Sequence, residues 1–264
     1  MKGEDKGLAD HRSVSQHNTY NQCAYRYKLE RLDRVWQRPA SWLSQGTAVH
    51  AALEAWERSG RTMTIEEAQE VFKEEYAKAN DEMMEITPNL DYWFASGPYK
   101  GAVDMERRFG IGLGQVADLI GWYDKHPEEK VWVTPDGTPA IELEYNVELG
   151  GVPVRGFIDL IMETPDGLVV RDIKTGNKPG DEFQLATYAA AMKQMYDVEI
   201  KTGDYFMGRT GKPTVPYDLT EEIPLVPEKY KDMNAKVEAG EFPADPDPKK
   251  CNFCGVRTSC EFAL

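Results

Sequence analysis

The chain has 264 residues, 41% of them apolar, and a formal net charge of −14. This is enough for one large packed domain and excludes wholesale disorder. No apolar run approaches the roughly 20 residues of a bilayer span. The acidic balance counts against a protein that coats nucleic acid through a basic surface, but leaves room for an enzyme whose metal ions supply positive charge locally.

The opening residues, MKGEDKGLADHR, hold no hydrophobic stretch. No signal peptide is expected, and a cytoplasmic setting without membrane contact follows. Residues 13–38 read as a helix and its exit, with Ser13 or Ser15 as cap. Arg26, Lys28, Arg31, Arg34 and Arg38 are interleaved there with Tyr25, Tyr27 and Trp36. Two readings stand: aromatics buried on an amphipathic helix, or phosphate contacts and base stacking on single-stranded DNA. In the second, Arg26, Lys28, Arg31 and Arg34 are the candidate DNA-binding residues. Another helix begins at Gly46 and carries His50; a lone helical histidine is ordinarily structural or solvated. Residues 64–85 predict an acidic, solvated helix capped by Thr64. Residues 97–126 look helical again, interrupted by Gly110, Gly112 and Gly114. Residues 60–130 are thus expected to be a helical insertion, a lid or the wall of a passage, within a single domain spanning 1–264.

The second half reads as sheet. Ala140–Leu149 alternates apolar and acidic residues, as a half-buried strand does, and should pair with 152–163 across Gly150-Gly151. Glu142 or Glu144 offers a carboxylate from this strand, with an exposed face the favoured reading for both. Thr164-Pro165-Asp166-Gly167 is a turn leading to a strand over Leu168–Lys174. A helix over Asp181–Tyr196 follows, with Asp181 as cap. Asp172 and Lys174 share one face of their strand, Ile173 points to a core, and Asp159 sits on the partner strand. Such a set holds Mg²⁺ or Mn²⁺ through oxygen ligands, or forms an ion pair on the hairpin surface. Strands over 199–207 and 214–219, a helix over 227–238 and an extended linker over 243–248 complete the chain. There is no G-x-x-x-x-G-K-[ST] motor motif.

Gly156-x-x-Asp159, Asp172-Ile173-Lys174 and Gln184-x-x-x-Tyr188, in this order, resemble the PD-(D/E)XK nuclease core in its RecB-type form. The resemblance implies an α/β fold: a mixed central β-sheet flanked by helices. It implies a catalytic set of Asp159, Asp172, Lys174, Gln184 and Tyr188. Lys174 would position the attacking water, and Gln184 and Tyr188 would contact DNA or order the site. G-T-x-x-H-x-x-L-E around His50 resembles the family's first motif. The implied ligands of one or two divalent metals, Mg²⁺ or Mn²⁺, are therefore His50, Asp159, Asp172 and the main-chain carbonyl of Ile173, with Glu54 in support. The acid before x-K is Asp172, where Glu is commoner.

Four cysteines remain: Cys23, then Cys251, Cys254 and Cys260 as C-x2-C-x5-C, the first of them 228 positions beyond Cys23. In a reducing compartment such spacing points to metal rather than disulfides, and suits zinc or a [4Fe–4S] cluster. One cysteine before the nuclease motifs and three after them resembles the AddB-type and Cas-four iron–sulfur nucleases. That resemblance implies a structural [4Fe–4S] cluster joining 13–38 to 243–264. It also implies exonuclease action on DNA ends, single-stranded DNA preferred, among recombination, replication or CRISPR-adaptation proteins of a phage or prokaryote. The rival is a non-catalytic iron–sulfur DNA-binding adaptor.

Overall fold

The computed structural model describes residues 10–264; the opening nine residues, with most of the segment read for a signal peptide, lie outside the described part. In chain order come helices α1 (Val14–Gln22), α2 (Ala24–Tyr27), α3 (Ser41–Arg58), α4 (Ile65–Ile86) and α5 (Gly101–Lys125). Strands β1 (Lys130–Val131), β2 (Ile141–Leu149), β3 (Val152–Thr164) and β4 (Gly167–Lys174) lead to α6 (Glu182–Tyr196). Strands β5 (Thr202–Met207), β6 (Lys212–Pro213) and β7 (Tyr217–Asp218) precede α7 (Val226–Glu238) and α8 (Pro248–Asn252). The chain divides into two compact units. One is Pro39–Tyr145 with Phe157–Ile223; the other is the described part of Met1–Arg38 with Asn146–Gly156 and Pro224–Leu264.

Among the described residues the strands form one mixed sheet, β1-β3-β4-β5-β6, with β2 paired to β3 and β7 to β5. The expected hairpins are present. Gly150 and Gly151, at φ 64° and 79°, supply the two positive-φ positions of a tight β2–β3 turn. Thr164 pairs with Gly167 at the β3–β4 turn. The crossover through α6 makes β4 and β5 parallel. Asp181 caps α6, its carboxylate accepting from the Gln184 N–H at 3.1 Å.

In the larger unit α3, α4 and α5 cover one face of this sheet. Val49, Leu53 and Trp56 of α3, Phe72 and Tyr76 of α4 and Leu119 and Tyr123 of α5 enclose Leu160, Met162, Ile173 and Phe206. Each such buried side chain contributes about 1.5–3 kcal/mol. On the acidic α4 only Ala68, Phe72, Tyr76 and Asn80 are buried, a stripe at four-residue spacing. Its start is fixed by a capping box between Thr64 and Glu67. The three glycines do not interrupt α5, which runs unbroken for 25 residues. At Gly112 a Cβ would lie 2.2 Å from the Phe72 ring, so glycine there lets two helices approach closely.

In the smaller unit the single helix expected over 13–38 is broken. Ser13, rather than Ser15, caps α1 by accepting from Gln16 N–H at 3.2 Å. Cys23 is extended (φ −167°, ψ 109°) and separates α1 from α2. A π-helical turn over Lys28–Leu32 ends the helical run, and Arg34 lies at φ 51°. Tyr20 and Tyr27 are buried against Met233 and Val237 of α7, so these two aromatics belong to a core.

Candidate active site

The β3–β4 hairpin, α3 and α6 place the expected side chains together in the larger unit. Asp159 is buried, and its Oδ2 accepts the Ile173 main-chain N–H at 2.7 Å. His50, on α3, brings Nδ1 to 3.5 Å from Asp159 Oδ2 and to 3.5 Å from Glu142 Oε1. Its Nε2 is 3.0 Å from the Ile173 carbonyl oxygen. The side chain of Ile173 is buried in the core, as strand parity requires.

Asp172 is buried on the opposite face of β4 from Ile173. Gln184 Nε2 donates to its Oδ1 at 2.6 Å and to the Tyr188 hydroxyl at 2.9 Å. Lys174 Nζ donates to Gln184 Oε1 at 3.0 Å. Gln184 thus ties the acid, the ammonium and the phenol into one network. Tyr188 is 6% exposed and meets Tyr145 edge-on. Lys174 Nζ also lies 2.6 Å from Asp172 Oδ2, an ion pair on this buried carboxylate.

Glu142, His50 and Asp159 each offer a ligand atom within 4.8 Å of the other two. They line a small cavity of about 10 Å³, room for one water-sized species. The electrostatics agree. Burial and then the neighbouring Asp172 push Asp159 upward; burial also raises Asp172 despite Lys174. Burial disfavours a charged His50, but Asp159, Glu142 and Asp172 outweigh it and lift the imidazole to about 9. Crowded acids whose negative charges oppose one another are what a bound divalent cation would relieve. The donor set of carboxylates with one imidazole therefore fits Mg²⁺ or Mn²⁺.

Glu142 is the residue that strand alternation placed wrongly. Its backbone sits at φ 44°, outside the β region. Ile141 packs with the α3–α5 cluster, whereas Tyr145, of the same parity, meets Tyr188 of α6. The pleat is broken between them, and Glu142 turns to the histidine while Glu144 stays exposed. Glu54 holds Arg58 at 2.8 Å, and Arg58 donates to the Ile141 carbonyl at 2.9 Å, which supports the start of β2 beside Glu142.

The remaining candidates lie in the smaller unit. Arg26 pairs with Glu30 at 2.6 Å and Lys28 with Asp33 at 2.5 Å, so acids of their own segment hold both; Arg31 and Arg34 are exposed. Cys23, Cys251, Cys254 and Cys260 are half-buried, unlinked thiols, and all four line one pocket. Asp245 N–H reaches Cys23 Sγ at 3.5 Å. Among the described residues no three of these sulfurs lie within 4.8 Å of one another.

The sequence matches the profile of the PD-(D/E)XK nuclease superfamily over residues 11–261. The chain belongs to that superfamily, and its function is of nuclease type. It is 47% identical to the Gene 69 protein of Mycobacterium phage L5, over 97% of this chain and 98% of that one. It is 49% identical to the Gene 69 protein of Mycobacterium phage D29, over 94% and 96%. A crystal structure from Eubacterium rectale described as a "Putative exonuclease" shares the fold, with a TM-score of 0.51 and 13% identity over 95% of this chain and 88% of that one. No described helix is long and apolar enough to cross a membrane.

Proposed function

We propose that the chain is a divalent-metal-dependent DNA exonuclease that hydrolyses phosphodiester bonds from ends and prefers single-stranded DNA. The observation that carries this reading is the convergence of His50, Glu142 and Asp159 around a water-sized space, with the Asp172–Lys174 pair on the adjoining strand β4. His50, Glu142, Asp159 and Asp172, with the Ile173 carbonyl, would hold the cation, which when bound polarises the scissile phosphate and offsets charge developing in the transition state. Lys174, kept in place by Gln184, directs a water toward the phosphorus. Tyr188 and Gln184 hold Asp172 in position. Action at ends is supported by the RecB-type and Cas-four-like motif order and by the description of the Eubacterium rectale neighbour. Single-strand preference is supported by exposed Arg31 and Arg34 beside half-exposed Tyr25 and Trp36. The two mycobacteriophage relatives support a phage setting, and the motif resemblance points within it to DNA recombination or replication.

In the same reading Cys23, Cys251, Cys254 and Cys260 hold a [4Fe–4S] cluster with a structural role. Four free thiols facing one pocket fit that donor set. Such a site closes a long loop and couples its assembly to folding.

The test uses protein purified without oxygen. It should release nucleotides from end-labelled linear single strands with Mn²⁺, leave covalently closed single-stranded circles uncut, and stop in EDTA. Iron and sulfide should be present and fall in Cys23→Ser, with a lower thermal midpoint. Equal cutting of circles and linear strands contradicts end specificity. DNA binding without cleavage would establish the adaptor reading, and zinc without iron would replace the cluster.

A further inference from the structure

The larger unit holds a second, much roomier cleft of about 470 Å³ that none of the catalytic side chains fills. One wall is the face of α5 carrying Arg107, Gly110 and Gly114 at helical spacing; the other is made by Thr175, Gly208 and Arg209, just past the ends of β4 and β5. The cleft begins one residue beyond Lys174. Gly208 N–H donates to the Lys174 carbonyl at 2.8 Å, and Gln115 Nε2 donates to the Thr175 carbonyl at 3.0 Å.

Its charge runs against that of the chain. Arg107, Arg108 and Arg209 line it against Asp118 alone, in a protein of net charge −14. Arg108 is committed to the fold, donating to Gln45 Oε1 at 3.0 Å and to Ser96 Oγ at 2.9 Å. Arg209 is exposed, and its 3.4 Å bond to Asn177 is to a neutral group. Arg107 is 37% exposed, 3.6 Å from Asp104, and lies over the ring of partly exposed Tyr99 at 4.5 Å. Where a side chain would stand at Gly110 or Gly114 there is open space.

We infer that this cleft carries a single DNA strand to or from the catalytic centre, with Arg107 and Arg209 on its phosphates. The inference rests on the nuclease reading and adds the path of the substrate. A polyanionic strand matches this basic lining beside Lys174, and a groove of small-molecule-pocket size admits one strand and not a duplex. Glycine at 110 and 114 leaves the backbone of α5 bare along the groove, so a strand can approach without meeting side chains.

The test is an anisotropy titration of the full chain with a short single-stranded oligonucleotide in EDTA, so that cleavage plays no part. Arg107→Ala with Arg209→Ala should weaken binding at least about tenfold and lower the log–log salt slope by about 1.4, two single-strand phosphate contacts' worth. Gly114→Leu should weaken binding with the salt slope unchanged and a thermal midpoint at or above wild type, since leucine is the better helix former. Both should keep the wild-type affinity for Mn²⁺. Variants that bind like wild type while the wild type binds and cuts overturn the cleft alone. A wild type that neither binds nor cuts single strands overturns the cleft together with the nuclease reading.

Discussion

The imidazole Nε2 of His50 lies 3.0 Å from the carbonyl oxygen of Ile173. The N–H of the same residue binds Asp159, so Ile173 meets two candidate ligands through its main chain while its side chain anchors β4 in the core. Ile173→Ala should therefore cost about 2–5 kcal/mol of stability by cavity formation and also lower Mn²⁺ affinity, although no polar side chain is removed. Denaturant unfolding and metal titration check both effects. Wild-type Mn²⁺ affinity in a destabilised variant would show that the backbone of β4 is positioned by other contacts.

Glu142 and Glu144 are two residues apart on β2, and only Glu142 faces His50. Glu142→Gln should reduce Mn²⁺ affinity at least about tenfold, the scale seen even for outer groups around metal sites. Glu144→Gln should leave it unchanged. Equal effects of the two substitutions would return Glu142 to the exposed face.

Metal binding should be strongly pH-dependent. The metal-free imidazole of His50 is lifted to about 9, so at neutral pH a proton must leave it before it can ligate. The sign is that Mn²⁺ affinity rises with pH across pH 6–8, by about tenfold per pH unit for the His50 proton and more steeply below about 7, where Asp159 also releases one. Calorimetry in buffers of different ionisation enthalpy counts the protons. A flat profile with no proton release would remove His50 from the ligand set.

Arg171 is next to Asp172 in sequence but serves the fold. It is buried, with Nε and Nη2 each 2.8 Å from Asp204 and Nη1 against Glu129. Arg171→Met alone should cost about 3–5 kcal/mol, because it strands buried carboxylates, whereas Arg171→Met with Asp204→Leu should recover part of that loss. Urea unfolding of the three proteins decides. An Arg171→Met protein as stable as wild type would mean the carboxylates protonate or hydrate at little cost.

These cases show what the sequence discloses and what it does not. Strand parity put Asp172 and Lys174 on one face and helix pitch put Gln184 beside Tyr188, because both are local geometry; that these residues and Asp159 form one site was implied by the motif resemblance. Thr64 and Asp181 announced the starts of α4 and α6, since a cap is a local hydrogen bond. Glu142 could not be told from Glu144, two residues on, because one left-handed residue breaks the alternation on which parity rests. Arg171 was hidden because its partners lie on β5 and before β1, too far along the chain to be read together. The break at Cys23 has no glycine or proline to mark it. The glycines of α5 looked like breaks, but Gly112 serves the packing against Phe72.

The central claim is that Lys174 acts on the substrate's water while the acids hold the metal. The most direct measurement is the single-turnover rate of cleavage of a linear single strand by Lys174→Met at saturating Mn²⁺, alongside its Mn²⁺ affinity. The account predicts a rate lower by about 10²–10³ or more, with metal affinity and thermal midpoint near wild type. A Lys174→Met protein that cuts at the wild-type rate would contradict it.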